Sequence, residues 1–192
     1  MIPDFSAVLL AGGKSSRMRR DKAFIEINGV PLWQRQLQTL EQLAPNEIFL
    51  AGSARPEWNG ARCTIITDAM EDSGPLGGLV AGLRHCSDQF LLVLAVDLPH
   101  MTSSYLHALL EICGSGKGAV PVTDRFEPLA AVYPVAALGL AESLLKSGRY
   151  SLQDFARSCL TEGLIIEHPV CPAETTLFLN INTPANLIAL EQ

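Results

Sequence analysis

Short apolar runs rich in β-branched residues alternate along the chain with longer stretches whose apolar positions recur at helical spacing, the signature of an α/β domain with a largely parallel sheet. Ser6 to Leu10 (SAVLL) predicts a first strand, ended by Gly12-Gly13. Pro31 opens a helix with Leu32, Leu37, Leu40 and Leu43 on one side and Gln34, Arg35, Gln38 and Glu41 on the other, stopped by Pro45-Asn46. Strands follow at Glu47 to Ala51 and Thr64 to Thr67, and a helix at Gly77 to Cys86. The run Phe90 to Val96 (FLLVLAV) has no polar interruption, which suits a central strand buried on both faces.

In the second half, Ser103-Ser104 is positioned to cap a helix through Cys113, and Gly114 to Gly118 ends it. Ala119 to Val122 and Pro128 to Val132 read as strands, Ala136 to Lys146 as a helix closed by Gly148, and Ser151 as the cap of a short helix through Cys159. The tail predicts strands near Leu164 to Glu167 and Leu177 to Asn180, then a helix after Pro184. No repeat or linker divides the chain, so residues 1–192 are expected to form one domain, a three-layer α/β/α Rossmann-like fold with a mainly parallel central sheet.

Composition narrows the function classes. Hydrophobic residues make up 48% of the chain and mean hydropathy is +0.22, which excludes disorder. A net charge of −6 argues against duplex DNA or an anionic membrane as partner. The longest uncharged stretch, Pro128 to Ala141, is too short to span a bilayer, which takes about 20 residues. No basic residue precedes the first apolar run, so a signal peptide is not expected, and five scattered cysteines without a CxxC pair read as reduced thiols. The expectation is a cytoplasmic protein. Four histidines without HxxxH spacing give no histidine-based metal site.

The charge is uneven. Five basic residues and one acid lie between Lys14 and Lys22, a local +4, so the remainder carries −10. The segment Leu10-Ala11-Gly12-Gly13-Lys14-Ser15-Ser16-Arg17-Met18-Arg19-Arg20-Asp21-Lys22-Ala23 follows the first strand, where open α/β sheets bind ligands. Glycine lets backbone N–H groups approach a phosphate, and Arg17 and Lys22 can neutralise its charge. The segment is neither GxxxxGK[ST] nor GxGxxG, which disfavours a hydride-transferring dinucleotide enzyme. Read without context, it is equally a glycine turn followed by a solvated basic run.

LAGGxSxRMxxDKA resembles the nucleotide-binding signature of the MobA family, the molybdenum cofactor guanylyltransferases of the nucleotidylyltransferase superfamily. Gly74-Pro75-Leu76-Gly77-Gly78-Leu79, Asp97-Leu98-Pro99, Pro128-Leu129 to Tyr133 and Asn180-Ile181-Asn182-Thr183-Pro184 resemble further stretches of that family, so the likeness runs from residue 9 to residue 187. The resemblance implies a nucleotidylyltransferase fold and a cytoplasmic enzyme that joins the GMP part of GTP to the terminal phosphate of molybdopterin and releases pyrophosphate. It also allows transient contact with molybdenum-insertion proteins or molybdoenzyme acceptors.

Asp97 ends the central strand beside the basic loop. A carboxylate there suits Mg²⁺, which takes one or two protein carboxylates plus phosphate oxygens, although alone it reads rather as an aspartate that starts a turn with Pro99. The resemblance makes it the metal ligand. Lys22 is then expected at the α-phosphate, Arg17 and the Gly12-Gly13 backbone at the leaving pyrophosphate, and Leu10, Ala11, Gly12 and Asp68 at the guanosine. Asp72, four residues after Asp68, is the alternative nucleotide contact. Asn180 and Asn182 share one side of an extended segment and are implied as molybdopterin ligands, or else fix a turn.

Three departures stand out: Arg19 where the family usually has glycine, Ala51-Gly52-Ser53 where it often has a nucleotide-reaching asparagine, and Asn186 in place of an acid. The rivals are a molybdopterin cytidylyltransferase, whose relatives tend to read LAAG, another nucleotidylyltransferase of the same fold, and a non-catalytic nucleotide-binding module. The second glycine of LAGG leaves room for the larger purine and favours GTP.

Overall fold

A computed structural model describes residues 2–12, 21–70 and 72–181. In chain order the elements are β1 (Phe5–Leu10), β2 (Glu26–Ile27), β3 (Val30–Pro31), α1 (Leu32–Glu41), β4 (Ile48–Ala51), β5 (Thr64–Ile66), α2 (Pro75–His85), β6 (Phe90–Ala95), α3 (Ser103–Glu111), β7 (Gly118–Val122), β8 (Ala130–Pro134), α4 (Leu138–Lys146), α5 (Leu152–Thr161) and β9 (Ile165–Pro169). Tight 3-10 turns occupy Lys22–Phe24, Pro56–Trp58, Val135–Ala137 and Pro172–Phe178.

Seven strands form one sheet in the order β5-β4-β1-β6-β8-β7-β9. Every neighbouring pair is parallel except the two that β8 makes with β6 and β7. β6 is the middle strand by position and chemistry: its residues are at most 5% exposed, and it pairs with β1 through Val8↔Val93 and with β8 through Leu92↔Val132. An uninterrupted apolar run is stable there because side chains pointing either way enter a core. Leu32, Leu37 and Leu40 of α1 with Leu106, Leu109 and Leu110 of α3 cover one face, together with Phe90, Leu92 and Leu94. Leu76, Leu79 and Leu83 of α2, Leu144 and Leu145 of α4 and Phe155 of α5 cover the other, with Leu91 and Val93. Three layers result, with a mainly parallel sheet in the middle. No helix among the described residues is long and apolar enough to cross a membrane.

Local chemistry sets the boundaries, and several differ from the pattern reading. α2 starts at Pro75, whose fixed φ and missing N–H suit the first helical position. The cap of α3 is Thr102, whose Oγ1 accepts from Tyr105 N at 3.3 Å, and not the following serine pair. Ser151 caps α5 as expected, accepting from Asp154 N. β8 begins at Ala130, two residues later than expected.

Asn28-Gly29, both at positive φ (53° and 75°), turn the β2–β3 hairpin. Asn-Gly is a common short hairpin signal, and the strand reading missed this one because each arm is only two residues long. The strand expected at Leu177 to Asn180 is not formed. Pro172–Phe178 winds as a 3-10 turn that buries Phe178 edge-on against Tyr105 (ring centroids 5.4 Å apart) and leaves Leu179 58% exposed. The helix expected after Pro184 lies outside the described residues.

Candidate functional site

The carboxyl ends of β1, β4, β5 and β6 lie side by side, and their connections build the site. Past β1 the backbone is fixed from both neighbours: Ala11 N and Gly12 N both donate to Ala51 O (3.0 and 3.1 Å), and Val96 N donates to Leu10 O (3.1 Å). Gly52 lies directly against Gly12. A Cβ on Gly52 would stand 3.1 Å from Gly12 N and 3.3 Å from the Trp58 ring, so only glycine allows the two backbones this approach.

A small pocket opens at this edge, lined by Leu10, Gly12, Ala51, Asp68, Gly74, Pro75 and Gly78. Gly78 keeps its floor clear, because a Cβ there would meet Leu10 Cδ2 at 2.9 Å and Asp68 Oδ1 at 3.3 Å. Asp68 Oδ1 is buried with no hydrogen-bond partner. Burial pushes the Asp68 carboxyl up from the usual carboxylate range, because it disfavours the charged form. An unpartnered acceptor at the wall of a pocket is a place for a ligand's N–H or O–H donor. Asp72 is exposed on the following turn at positive φ (55°) and does not line the pocket.

The second feature is an ion pair. Lys22 Nζ lies 2.8 Å from Asp97 Oδ2, with the two side chains 23% and 17% exposed. Asp21 shapes the turn that carries Lys22: its Oδ1 accepts from Ala23 N at 3.2 Å, and its Oδ2 pairs with Arg55 at 3.0 Å. Asp97 stands just past β6, and its carbonyl accepts from Ile181 N at 3.0 Å. That bond brings the Asn180-Ile181 segment to the same edge. Asn180 Oδ1 is a second buried acceptor with no partner.

Leu10, Ala11, Gly12, Lys22, Asp68, Asp97 and Asn180 are therefore gathered at one edge of the sheet. Gly13, Arg17, Arg19 and Asn182 lie outside the described residues. Three contributors were not singled out from sequence: Arg55, Trp58 and Gln36, whose Nε2 donates to Leu98 O. Gln36 alone had a usable signal, since it stands four residues from both Leu32 and Leu40 and so falls on the apolar side of its helix.

Among the described residues no group of three His, Cys, Asp or Glu side chains is arranged to hold a metal. Asp97 is a donor that Mg²⁺ could take, because that ion keeps waters and phosphate oxygens and needs only one or two protein carboxylates. An ammonium, a carboxylate and a backbone laid open by glycine suit phosphoryl chemistry, in which positioning and charge neutralisation dominate.

Comparisons with known proteins find likenesses in sequence and in fold. Residues 7–162 match the family described as MobA-like NTP transferase domain. The chain is 35% identical over 161 residues to a protein of Opitutus terrae named "Probable molybdenum cofactor guanylyltransferase", covering 82% of this chain and 80% of that one. It is 31% identical over 188 residues to the molybdenum cofactor guanylyltransferase of Pseudomonas fluorescens, covering 95% and 92%. The crystal structure of molybdopterin-guanine dinucleotide biosynthesis protein A from Archaeoglobus fulgidus superposes with a TM-score of 0.75 at 24% identity, over 97% of this chain and 96% of that one.

Proposed function

The chain belongs to the MobA-like NTP transferase domain family, and from that premise we propose that it is a molybdenum cofactor guanylyltransferase, transferring GMP from GTP to the terminal phosphate of molybdopterin. The observation that carries the reading furthest is the Lys22–Asp97 pair, held 2.8 Å apart at the sheet edge beside the glycine-lined pocket.

In this reading an oxygen of the molybdopterin phosphate attacks the α-phosphorus of GTP. A P–O bond forms there, the bond to the β-phosphate oxygen breaks, and pyrophosphate leaves with the electron pair. The attacking oxygen is already anionic, so no strong general base is required. Lys22 holds the α-phosphate and meets the charge that grows on it. Asp97 would hold Mg²⁺, which supplies Lewis-acid neutralisation of the triphosphate. Leu10 to Gly12 and Asp68 take the guanosine. In the same reading Arg17 and the Gly12-Gly13 backbone would take the leaving pyrophosphate, and Asn180 and Asn182 the pterin substrate, as the motif resemblance implies.

Pyrophosphate release measured with GTP, CTP and ATP, each with and without molybdopterin and Mg²⁺, tests this directly. Release that needs GTP, pterin and metal together is expected. Preference for CTP would make the protein a cytidylyltransferase, and release that required neither pterin nor metal would sink the reading.

Asp68 gives a separate prediction. Its unpartnered oxygen is offered to a donor on guanosine, and hydrogen bonds to a charged group contribute about 1.5–3 kcal/mol. Asp68→Asn should therefore raise the KM for GTP about 10- to 100-fold. The fold should not suffer. A carboxyl whose native pKa is raised costs stability at neutral pH, and that cost is relieved as pH falls through the raised value. The amide never carries it, so at pH 7 the variant should melt no lower than the parent, and its melting temperature should gain less on acidification. A melting temperature several degrees below the parent at pH 7 would show that the carboxylate is structural.

A further inference from the structure

Gln36 is 1% exposed in the middle of α1, on the face that also buries Leu32, Leu37 and Leu40. Its Nε2 donates to the carbonyl of Leu98, the residue after Asp97, and its Oε1 is buried without a partner. An amide with one orphaned acceptor is a poor choice for an apolar layer, where an unsatisfied buried polar group destabilises the fold. The bond is not needed to satisfy Leu98 either, since that carbonyl also accepts from Met101 N at 3.0 Å.

What the amide supplies is geometric. The same helix is tied to the Lys22 turn, because Leu32 N donates to Ile25 O (2.9 Å) and Ile25 N donates to Lys22 O (3.1 Å). Through Gln36 it is also tied to the turn that presents Asp97. One helix thus grips the backbones beneath both members of the ion pair, while Ile181 N holds the Asp97 carbonyl from another side.

We propose that Gln36 is a positioning residue that sets the separation of Lys22 and Asp97, and so the seat of the metal–triphosphate. The proposal rests on the guanylyltransferase reading for its consequence in turnover, but not for its consequence in metal binding. The test uses Gln36→Leu and Gln36→Met, which remove the donor and the orphaned oxygen while filling similar volume. Both variants should melt at or above the parent temperature. Mn²⁺ bound in the presence of GTP, followed by electron paramagnetic resonance, should bind about tenfold or more weakly. The kcat should fall about 10- to 100-fold with the KM for GTP within about threefold of the parent, because a misplacement near 1 Å costs turnover on that scale.

Parental Mn²⁺ affinity and kcat in both variants would overturn the proposal, and so would melting far below the parent in both, which would make the amide structural. A parent that binds Mn²⁺ and GTP without transferring guanylate would remove the function reading alone, and the Mn²⁺ comparison would still decide the role of Gln36. A parent that binds neither would remove both.

Discussion

Asp97→Asn should lower guanylyl transfer by about 100-fold or more, the usual loss when one group stabilising transition-state charge is removed. The substitution keeps the shape of the side chain and its place after β6, but it removes the charge that faces Lys22 at 2.8 Å and that would hold the metal. The loss should appear in kcat, and raising Mg²⁺ should recover part of it. Lys22→Ala should cost a similar factor. If the two groups act as one device, the double variant will be little worse than the poorer single one, because residues that work as a unit are far from additive. Both singles should melt within about 5 °C of the parent, since the pair lies at the edge of the fold and outside its apolar layers. Turnover within a factor of a few in Asp97→Asn would remove the assignment.

The second large effect is on stability, at the other end of the sheet. A Cβ on Gly118 would stand 2.1 Å from Val132 O and 2.8 Å from Val132 C, both backbone atoms of β8. Neither can rotate away, so Gly118→Ala must push β7 off its neighbour. That pairing is short, with only Ala119↔Val132 in register. Forced overpacking costs about 1–3 kcal/mol, occasionally more, and here the upper end is expected because backbone has to move. For a chain of 192 residues about 3 kcal/mol is a fall of about 6–12 °C in melting temperature. Activity per folded molecule should persist at low temperature, because Gly118 begins β7 at the end of the sheet opposite Asp97. A melting temperature within about 2 °C of the parent would contradict this reading of the contact.

The layered fold was legible because its signals are local. FLLVLAV could be buried on both faces only at the middle of a sheet, and Ser151 caps α5 through its own side chain. Asp68 and Asp97 were legible for a related reason: each directly follows an apolar strand, and the ends of such strands are where ligands bind. What was not legible depends on partners far away in sequence. Leu177 to Asn180 looks like a strand by composition, but among the described residues no strand pairs with it, and Phe178 turns in against Tyr105 instead. Arg55 reads as one more surface cation until it meets Asp21, 34 residues earlier. Gln36 becomes more than a misplaced amide only when Leu98, 62 residues on, comes within reach.

The pairing of β1 also bears on how the molecule is made. Phe5 to Leu10 is buried along its whole length, yet its partners are β4 and, matched Phe5↔Phe90, β6. At synthesis rates of about 5–20 residues per second, the ribosome needs about 4 to 17 s to progress from the first of these strands to the last. For that interval one of the most apolar segments of the protein has already been produced while the strand that will seal it does not yet exist. Until β6 has been made, β1 is open to other contacts and the carboxyl edge of the sheet cannot form.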